Sequence, residues 1–250
     1  MASILVPIPD TDFDPTETAV PWKILRAAGH ALVFATPDGR RGQADPRMLT
    51  GAGLGVLAPL LRADANARAA YGELEGSREF SHPIAWAAID STAFQALLLP
   101  GGHAPGMRPY LESARLQATV IEFVEQQKPI GAICHGVLVA ARARRAGRSV
   151  LFGKRSTGLT KLMELSAWAM TCAWLGDYYR TYRQTVEDEV RAALARPGDF
   201  ARGPLSLTRD SPQHLTAGFT VRDGAYLSAR WPGDAHRFGT ELSALLSAAG

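Results

Sequence analysis

The sequence predicts an α/β protein with a mainly parallel central sheet, helices on both faces and a C-terminal β-hairpin. Three observations lead there. Short apolar runs bounded by Gly, Pro and Asp alternate with stretches of helical spacing, as strands joined by crossover helices do. Two of those runs stop abruptly on small residues, at Pro100-Gly101-Gly102 and at Cys134-His135-Gly136. Near the C-terminus two short segments flank Arg222-Asp223-Gly224, a hairpin signal.

The first run, residues 3–8 (SILVPI), is a strand. An acidic loop over residues 10–16 follows, then a helix over about 17–28 closed by Gly29. Residues 31–36 (ALVFAT) make a second buried strand, ended by Pro37-Asp38-Gly39. Residues 40–90 hold Ala- and Leu-rich helix-like stretches and loops. Residues 96–99 (ALLL) are a strand, and apolar Val120, Phe123 and Val124 fall at helical spacing within 116–127. Residues 129–133 (PIGAI) are the next strand, followed by a helix over 137–146 that Gly147 ends. Residues 160–195 read as mostly helical, and 197–214 as a surface loop rich in Pro, Gly, Asp and Ser. Residues 218–221 and 225–230 form the hairpin, and Asp234 is expected to cap a last helix running to about Ala249. One domain over residues 1–250 is expected, with about 160–215 as a helical and loop elaboration.

A domain of 250 residues buries roughly three quarters of the surface its unfolded chain exposes, so its core needs no covalent staples. Two cysteines, Cys134 and Cys172, exclude a disulfide scaffold. With 46% hydrophobic and 20% charged residues the chain is ordinary globular material. The formal net charge of +3 is not gathered into a basic stripe, which argues against a nucleic-acid partner. No apolar run reaches the roughly 18 residues of a membrane span. Residues 1–10 lack a basic lead and meet Pro7 early, so they read as a strand rather than a signal peptide. A cytoplasmic enzyme is the expectation.

The chemistry concentrates at Cys134. A nucleophile placed where a buried strand turns sharply into a helix is lifted above the carboxyl edge of the sheet, where α/β proteins bind ligands. Gly136 eases the bend. A helix end contributes at most about 2 kcal/mol to an anion, roughly 1.5 pK units, so the thiol is expected to be substantially ionised. His135 beside it would set the remainder. Residues 97–103 (LLLPGGH) offer a second signal, because two glycines after a strand free backbone N–H groups for an oxyanion hole. Cys172, in an Ala-, Trp- and Leu-rich helical stretch, reads as a small buried hydrophobe.

These blocks resemble the ThiJ/PfpI superfamily, whose fold is the class I glutamine-amidotransferase-like, flavodoxin-like three-layer sandwich. The resemblance rests on Glu17 after the first strand, "LLLPGGHA" at 97–104 and "GAICHG" at 131–136. "AGHALVFATPDG" at 28–39 and "WPGDAHRF" at 231–238 are similar to the chaperone/glyoxalase III branch. The resemblance implies Cys134 as nucleophile, His135 as its acid/base neighbour and Glu17 as the carboxylate beside the sulfur. It implies an oxyanion hole from the Gly102 and His135 amides, and it suggests a homodimer. Some members complete a triad with an acid about thirty positions on; Glu164 stands there, although a solvated helix glutamate is the commoner role. By sequence alone the commoner role of a glutamate after Asp14-Pro15-Thr16 is to favour a helix N-terminus.

Other signals lead nowhere. Asp10, Asp12 and Asp14 mimic a calcium loop, but Pro15 and Pro21 occupy its glycine and glutamate positions. Gly51-Ala52-Gly53-Leu54-Gly55 lacks the preceding strand and third glycine of a dinucleotide fingerprint. Arg142, Arg144, Arg145 and Arg148 read as a solvated helix end. Residues 176–182, with three tyrosines, fit a pocket wall or packing. His82 and His236 have structural roles, and the cysteines and histidines make no zinc pattern, so no cofactor or metal is called for.

The implied function is a cofactor-free, glyoxalase III-type lyase acting on a small reactive carbonyl. A cysteine amidase or peptidase, or a small-metabolite hydratase or hydrolase, would use the same thiol. From a different class come a stress chaperone and a redox sensor in which Cys134 is oxidised to a sulfinate.

Overall fold

The computed structural model describes residues 1–205 and 207–249. A seven-stranded sheet is assembled from β1 (Ser3–Pro7), β2 (Ala31–Thr36), β3 (Ile84–Ala85), β4 (Ala96–Leu99), β5 (Ile130–Ile133), β6 (Thr220–Asp223) and β7 (Tyr226–Ala229). Their order across the sheet is β6-β7-β5-β4-β1-β2-β3, with six strands parallel and β6 antiparallel to β7. Strand β1 pairs on one side with β2, Ile4 opposite Leu32, and on the other with β4, Ile4 opposite Ala96. Strand β5 lies between β4 and β7, with Ile130 opposite both Leu97 and Tyr226.

The central strands are buried on both faces, which is why they read as unbroken apolar runs without alternation. Ile4, Leu5 and Val6, and Leu97, Leu98 and Leu99, are completely enclosed. Gly131 has a packing reason in β5: a Cβ there would stand 2.9 Å from Phe238 and Leu242 of the last helix.

The larger helices are α1 (Pro15–Ala27), α2 (Ala65–Glu75), α3 (Ala114–Glu125), α4 (Val137–Arg142), α5 (Lys161–Leu175), α6 (Val186–Ala193) and α7 (Ala235–Ala249). Helix α1 packs on α2 and α7, whereas α4 packs on α3 and α6. The connections β1-α1-β2 and β4-α3-β5 run in opposite directions from the middle of the sheet. The right-handed rule for crossovers therefore places these two groups on opposite faces. The reversal lies between β1 and β4, and it opens a crevice at their carboxyl ends.

The expected elements hold with local exceptions. Residues 11–13 of the predicted loop form a short strand parallel to Gln43–Ala44. Helix α1 begins at Pro15 because Asp14 caps it, its Oδ1 accepting the N–H groups of Thr16 and Glu17 at 2.7 and 3.0 Å. Helix α4 stops at Arg142, short of residue 146. The chain there makes a hairpin pairing Arg144–Arg145 with Arg148–Ser149, turned by Ala146 and Gly147 in left-handed conformations. Residues 160–195 are two helices separated at Gly176, φ +56°.

Asp234 is not the N-terminal acceptor of α7. Its carboxylate is enclosed and grips Arg230 through both oxygens at 2.8 Å. The first turn of α7 donates instead to Asp210, from the N–H groups of His236 (3.2 Å) and Arg237 (2.7 Å). Arg142 also departs from the expected solvated face. Its guanidinium is bidentate to Glu189 at 2.6 and 2.9 Å and donates to Tyr182. Cys172 is half-buried rather than enclosed.

Candidate active site

Three strand ends converge on the crevice. Strand β5 ends at Cys134, whose φ of +57° is a left-handed conformation that side chains rarely adopt and that costs of order 1–3 kcal/mol. The bend swings the thiol over the sheet edge. Gly136 is required two residues on, because a Cβ there would stand 2.2 Å from the Leu99 carbonyl oxygen. Strand β4 delivers Gly101 and Gly102, the latter at φ +153°, where a Cβ would stand 2.7 Å from the Asp12 carbonyl oxygen and 3.0 Å from the Asp14 nitrogen. Beyond β1, helix α1 delivers Asp14 and Glu17.

Glu17 is completely buried in the first turn of α1. Its Oε2 accepts the Gly101 N–H at 3.0 Å, so the first glycine of the loop orients the carboxyl and Gly102 is left at the cavity wall. Its Oε1 takes no protein N–H or O–H, and the neighbouring Cys134 thiol favours the carboxylate form. Burial, reinforced by the negative charge of Asp14, pushes the Glu17 carboxyl well above the usual carboxylate range. Burial likewise pushes the Cys134 thiol up, with the Glu17 and Asp14 charges adding to it. The expectation of a substantially ionised thiol is thus corrected. Only 4% of Cys134 is exposed, α4 is a helix of six residues, and desolvation outweighs what its N-terminus supplies. Both shifts favour the protonated forms of the carboxyl and the sulfur, while the His135 backbone N–H favours the thiolate.

His135 is enclosed and its Nδ1 lies 3.5 Å from the Cys134 sulfur. Its Nε2 lies 3.2 Å from Thr181 Oγ1, which donates its own proton to the His103 carbonyl at 2.6 Å. With that proton committed, Thr181 can only accept from Nε2–H, which leaves the Nδ1 lone pair toward the sulfur. Burial, then His103 and Arg142, hold the ring neutral, its pKa lowered to about 3. Thr181 is therefore a positioning residue. Thr181→Val should lower kcat/KM about fivefold, the loss of roughly one net hydrogen bond. The His135 ¹⁵N shifts should move from a single Nε2–H tautomer to a mixture, a change that generalised loosening of the fold would not give.

Glu164 lines the same cavity as Cys134, but its carboxyl is engaged elsewhere. It accepts the Val186 N–H at 3.0 Å and lies 3.5 Å from Arg180. The group on the His135 ring is Thr181, from a segment that sequence spacing does not connect to the elbow. Asp14 was also hidden, behind its likeness to a failed calcium loop. Its Asp-Pro-Thr-Glu context is the cap signal that could have revealed it.

Above the thiol lies a cavity of about 460 Å³. Its wall is largely apolar, with Met48, Leu61, Leu159 and Met163 among the lining side chains. The tyrosine segment does wall the pocket: Tyr179 lines it and stacks on His103 with ring centroids 4.3 Å apart. Arg209, from the loop between α6 and β6 and not signalled by the sequence, and Trp231, the first residue of the 231–238 block, complete the wall.

A cysteine at a strand-to-helix bend over a flavodoxin-like sheet, with a glutamate from the first helix beside it, defines the class. The ThiJ/PfpI family-like model matches residues 8–195, and the chain belongs to that family. Over 131 residues it is 28% identical to protein DJ-1 homolog D of Arabidopsis thaliana, covering 51% of this chain and 29% of that protein. It is 29% identical over 119 residues to an uncharacterised protein of Schizosaccharomyces pombe, covering 47% of this chain and 43% of the other. The chain thus matches less than half the length of these two relatives. Among solved structures, glyoxalase III from Candida albicans superposes with a TM-score of 0.69 at 16% identity, covering 98% of this chain and 97% of that one. The 24 kDa rapid encystment protein of Francisella tularensis gives 0.70 at 17% identity, covering 98% and 99%. At such identities the likeness is one of fold. Among the described residues, no helix is long and apolar enough to cross a membrane.

Proposed function

We propose that the chain is a cysteine-dependent, cofactor-free enzyme of the glyoxalase III type, converting a 2-oxoaldehyde and water to a 2-hydroxy acid. The observation that carries this reading is the enclosed Cys134–Glu17 pair, opening onto a ligand-sized cavity. The working form holds one proton on the pair. The sulfur bonds to the aldehyde carbon, and that proton passes to the carbonyl oxygen, giving a hemithioacetal between the Gly102 and His135 amides. The Glu17 carboxylate then takes the C–H proton of this carbon and returns it to the neighbouring ketone carbon, while the hydroxyl proton moves between the two oxygens. One carbon is oxidised and the other reduced, so no outside oxidant is needed. Water cleaves the resulting thioester, its hydrogen restoring the thiol.

The test is turnover of methylglyoxal and phenylglyoxal by the purified chain without glutathione, with the 2-hydroxy acid identified as product. Consumption of neither, at enzyme concentrations approaching those of substrate, would overturn the proposal.

A further inference from the structure

The cavity is larger than a three-carbon oxoaldehyde needs. Its volume of about 460 Å³ lies in the range of roughly 300–1,000 Å³ that drug-sized ligands fill. Its wall carries an unusual set of unmet polar atoms. Among the described residues, ten buried side-chain atoms lack a hydrogen-bond partner, and five of them belong to residues lining this one cavity: Glu17, His103, Tyr179, Arg209 and Trp231. Buried polar atoms in folded proteins are nearly always paired, so their concentration here marks where a ligand's polar groups belong.

Two of these groups are pure donors on adjoining side chains. The Arg209 guanidinium sits over the Trp231 ring, 5.4 Å from its centroid. Its Nη2 is tied to the carbonyls of Arg62 (3.1 Å) and Leu60 (3.3 Å), which fixes the group in place. Its Nη1 and the Trp231 Nε1 have no acceptor. Asp14 acts on Arg209 through space only, its Oδ1 being engaged in capping α1. Two unmet donors on adjoining side chains of one cavity wall, one of them cationic, suit the acceptor oxygens of a carboxylate.

We propose that the substrate is an amphipathic carbonyl acid: an apolar body along Met48, Leu61, Leu159 and Met163, and a carboxylate held by Arg209 Nη1–H and Trp231 Nε1–H, distal to the carbon that Cys134 attacks. This deepens the lyase reading and rests on it for the reacting end only; the acid subsite can be tested without chemistry. Calorimetry on the intact chain would compare para-propylbenzoate with para-propylbenzamide, an uncharged probe of the same shape. The acid should bind at least about tenfold more tightly, as expected for a charge-assisted contact. Arg209→Gln should bring that ratio close to one. Trp231→Phe, which keeps the ring and removes only the N–H, should lower it a few-fold and decides the matter if the arginine variant does not fold. Acid and amide binding within twofold of each other, no saturable binding of either, or an unchanged ratio in both variants overturns the subsite.

A parallel measurement separates the two proposals. The wild-type chain should process para-carboxyphenylglyoxal with a kcat/KM about tenfold above that for phenylglyoxal. If the calorimetric ratio holds but neither glyoxal is consumed, the subsite stands and the lyase reading fails. If both are consumed equally and the probes bind alike, the lyase stands and the subsite fails.

Discussion

Replacing Cys134 by serine should lower kcat/KM for phenylglyoxal by about a thousandfold or more, equivalent to roughly 4 kcal/mol of transition-state stabilisation, and leave the fold intact. The oxygen is smaller than the sulfur and can occupy the same strained bend, with Glu17 and the His135 Nδ1 still beside it. Its proton is far harder to remove. The thiol is already pushed up by burial, so a hydroxyl there would not ionise. Steady-state kinetics, paired with thermal unfolding of both proteins, would check this. A serine variant that keeps a tenth of the wild-type rate would show that the sulfur does not form the bond to substrate, and the site would then work by proton transfer alone.

The parts of the site that depend on a strand running to its end were readable in sequence. Residues 96–99 and 130–133 are enclosed on both faces, as are residues 34–36 at the end of β2, so no solvent-facing residue interrupts the apolar runs there. A proline or glycine then lies within three residues of each stop, at Pro37, Pro100 and Gly136. This is why Cys134, His135 and Gly102 could be placed together from local pattern. Glu17 needed the family resemblance, since a glutamate after Asp14-Pro15-Thr16 is equally at home in any first helical turn. What stayed hidden is fixed by tertiary contacts. Thr181 reaches His135 from a non-helical segment, because Gly176 ends α5 and Arg108 binds the Thr181 carbonyl at 2.7 and 3.0 Å. Arg209 is placed by the neighbouring Asp210, whose carboxylate receives the first turn of α7. Strand β3, only two residues long, carries too little pattern to be seen.

Glu17→Gln should lower kcat about a hundredfold or more, the usual weight of a general base, and it should also make the protein more resistant to alkali. Glutamine keeps the acceptor oxygen for the Gly101 N–H and the size of the side chain, but it cannot take the C–H proton. The stability effect follows from linkage. Glu17 in the folded chain has its pKa raised, by burial first and by Asp14 next, from an ordinary value of 4.5. The folded state therefore holds a proton that the unfolded state gives up. Its contribution is full below about 4.5 and is lost as pH rises toward the folded value, at about 1.4 kcal/mol per pH unit between the two. Asp14, raised to about 6, and Glu164, raised to about 7, act in the same direction, and both remain in the variant. The difference between the two proteins thus isolates Glu17. Urea unfolding across the acid-to-alkaline range should give curves that run parallel below about pH 4 and diverge above it, with E17Q the more stable. The kinetics should diverge in the opposite sense, because wild-type kcat/KM must rise with pH as the second proton leaves the Cys134–Glu17 pair, and that rise should vanish in E17Q. Parallel stability curves throughout would mean that Glu17 is ionised in the folded protein, and the proton relay would lose its donor.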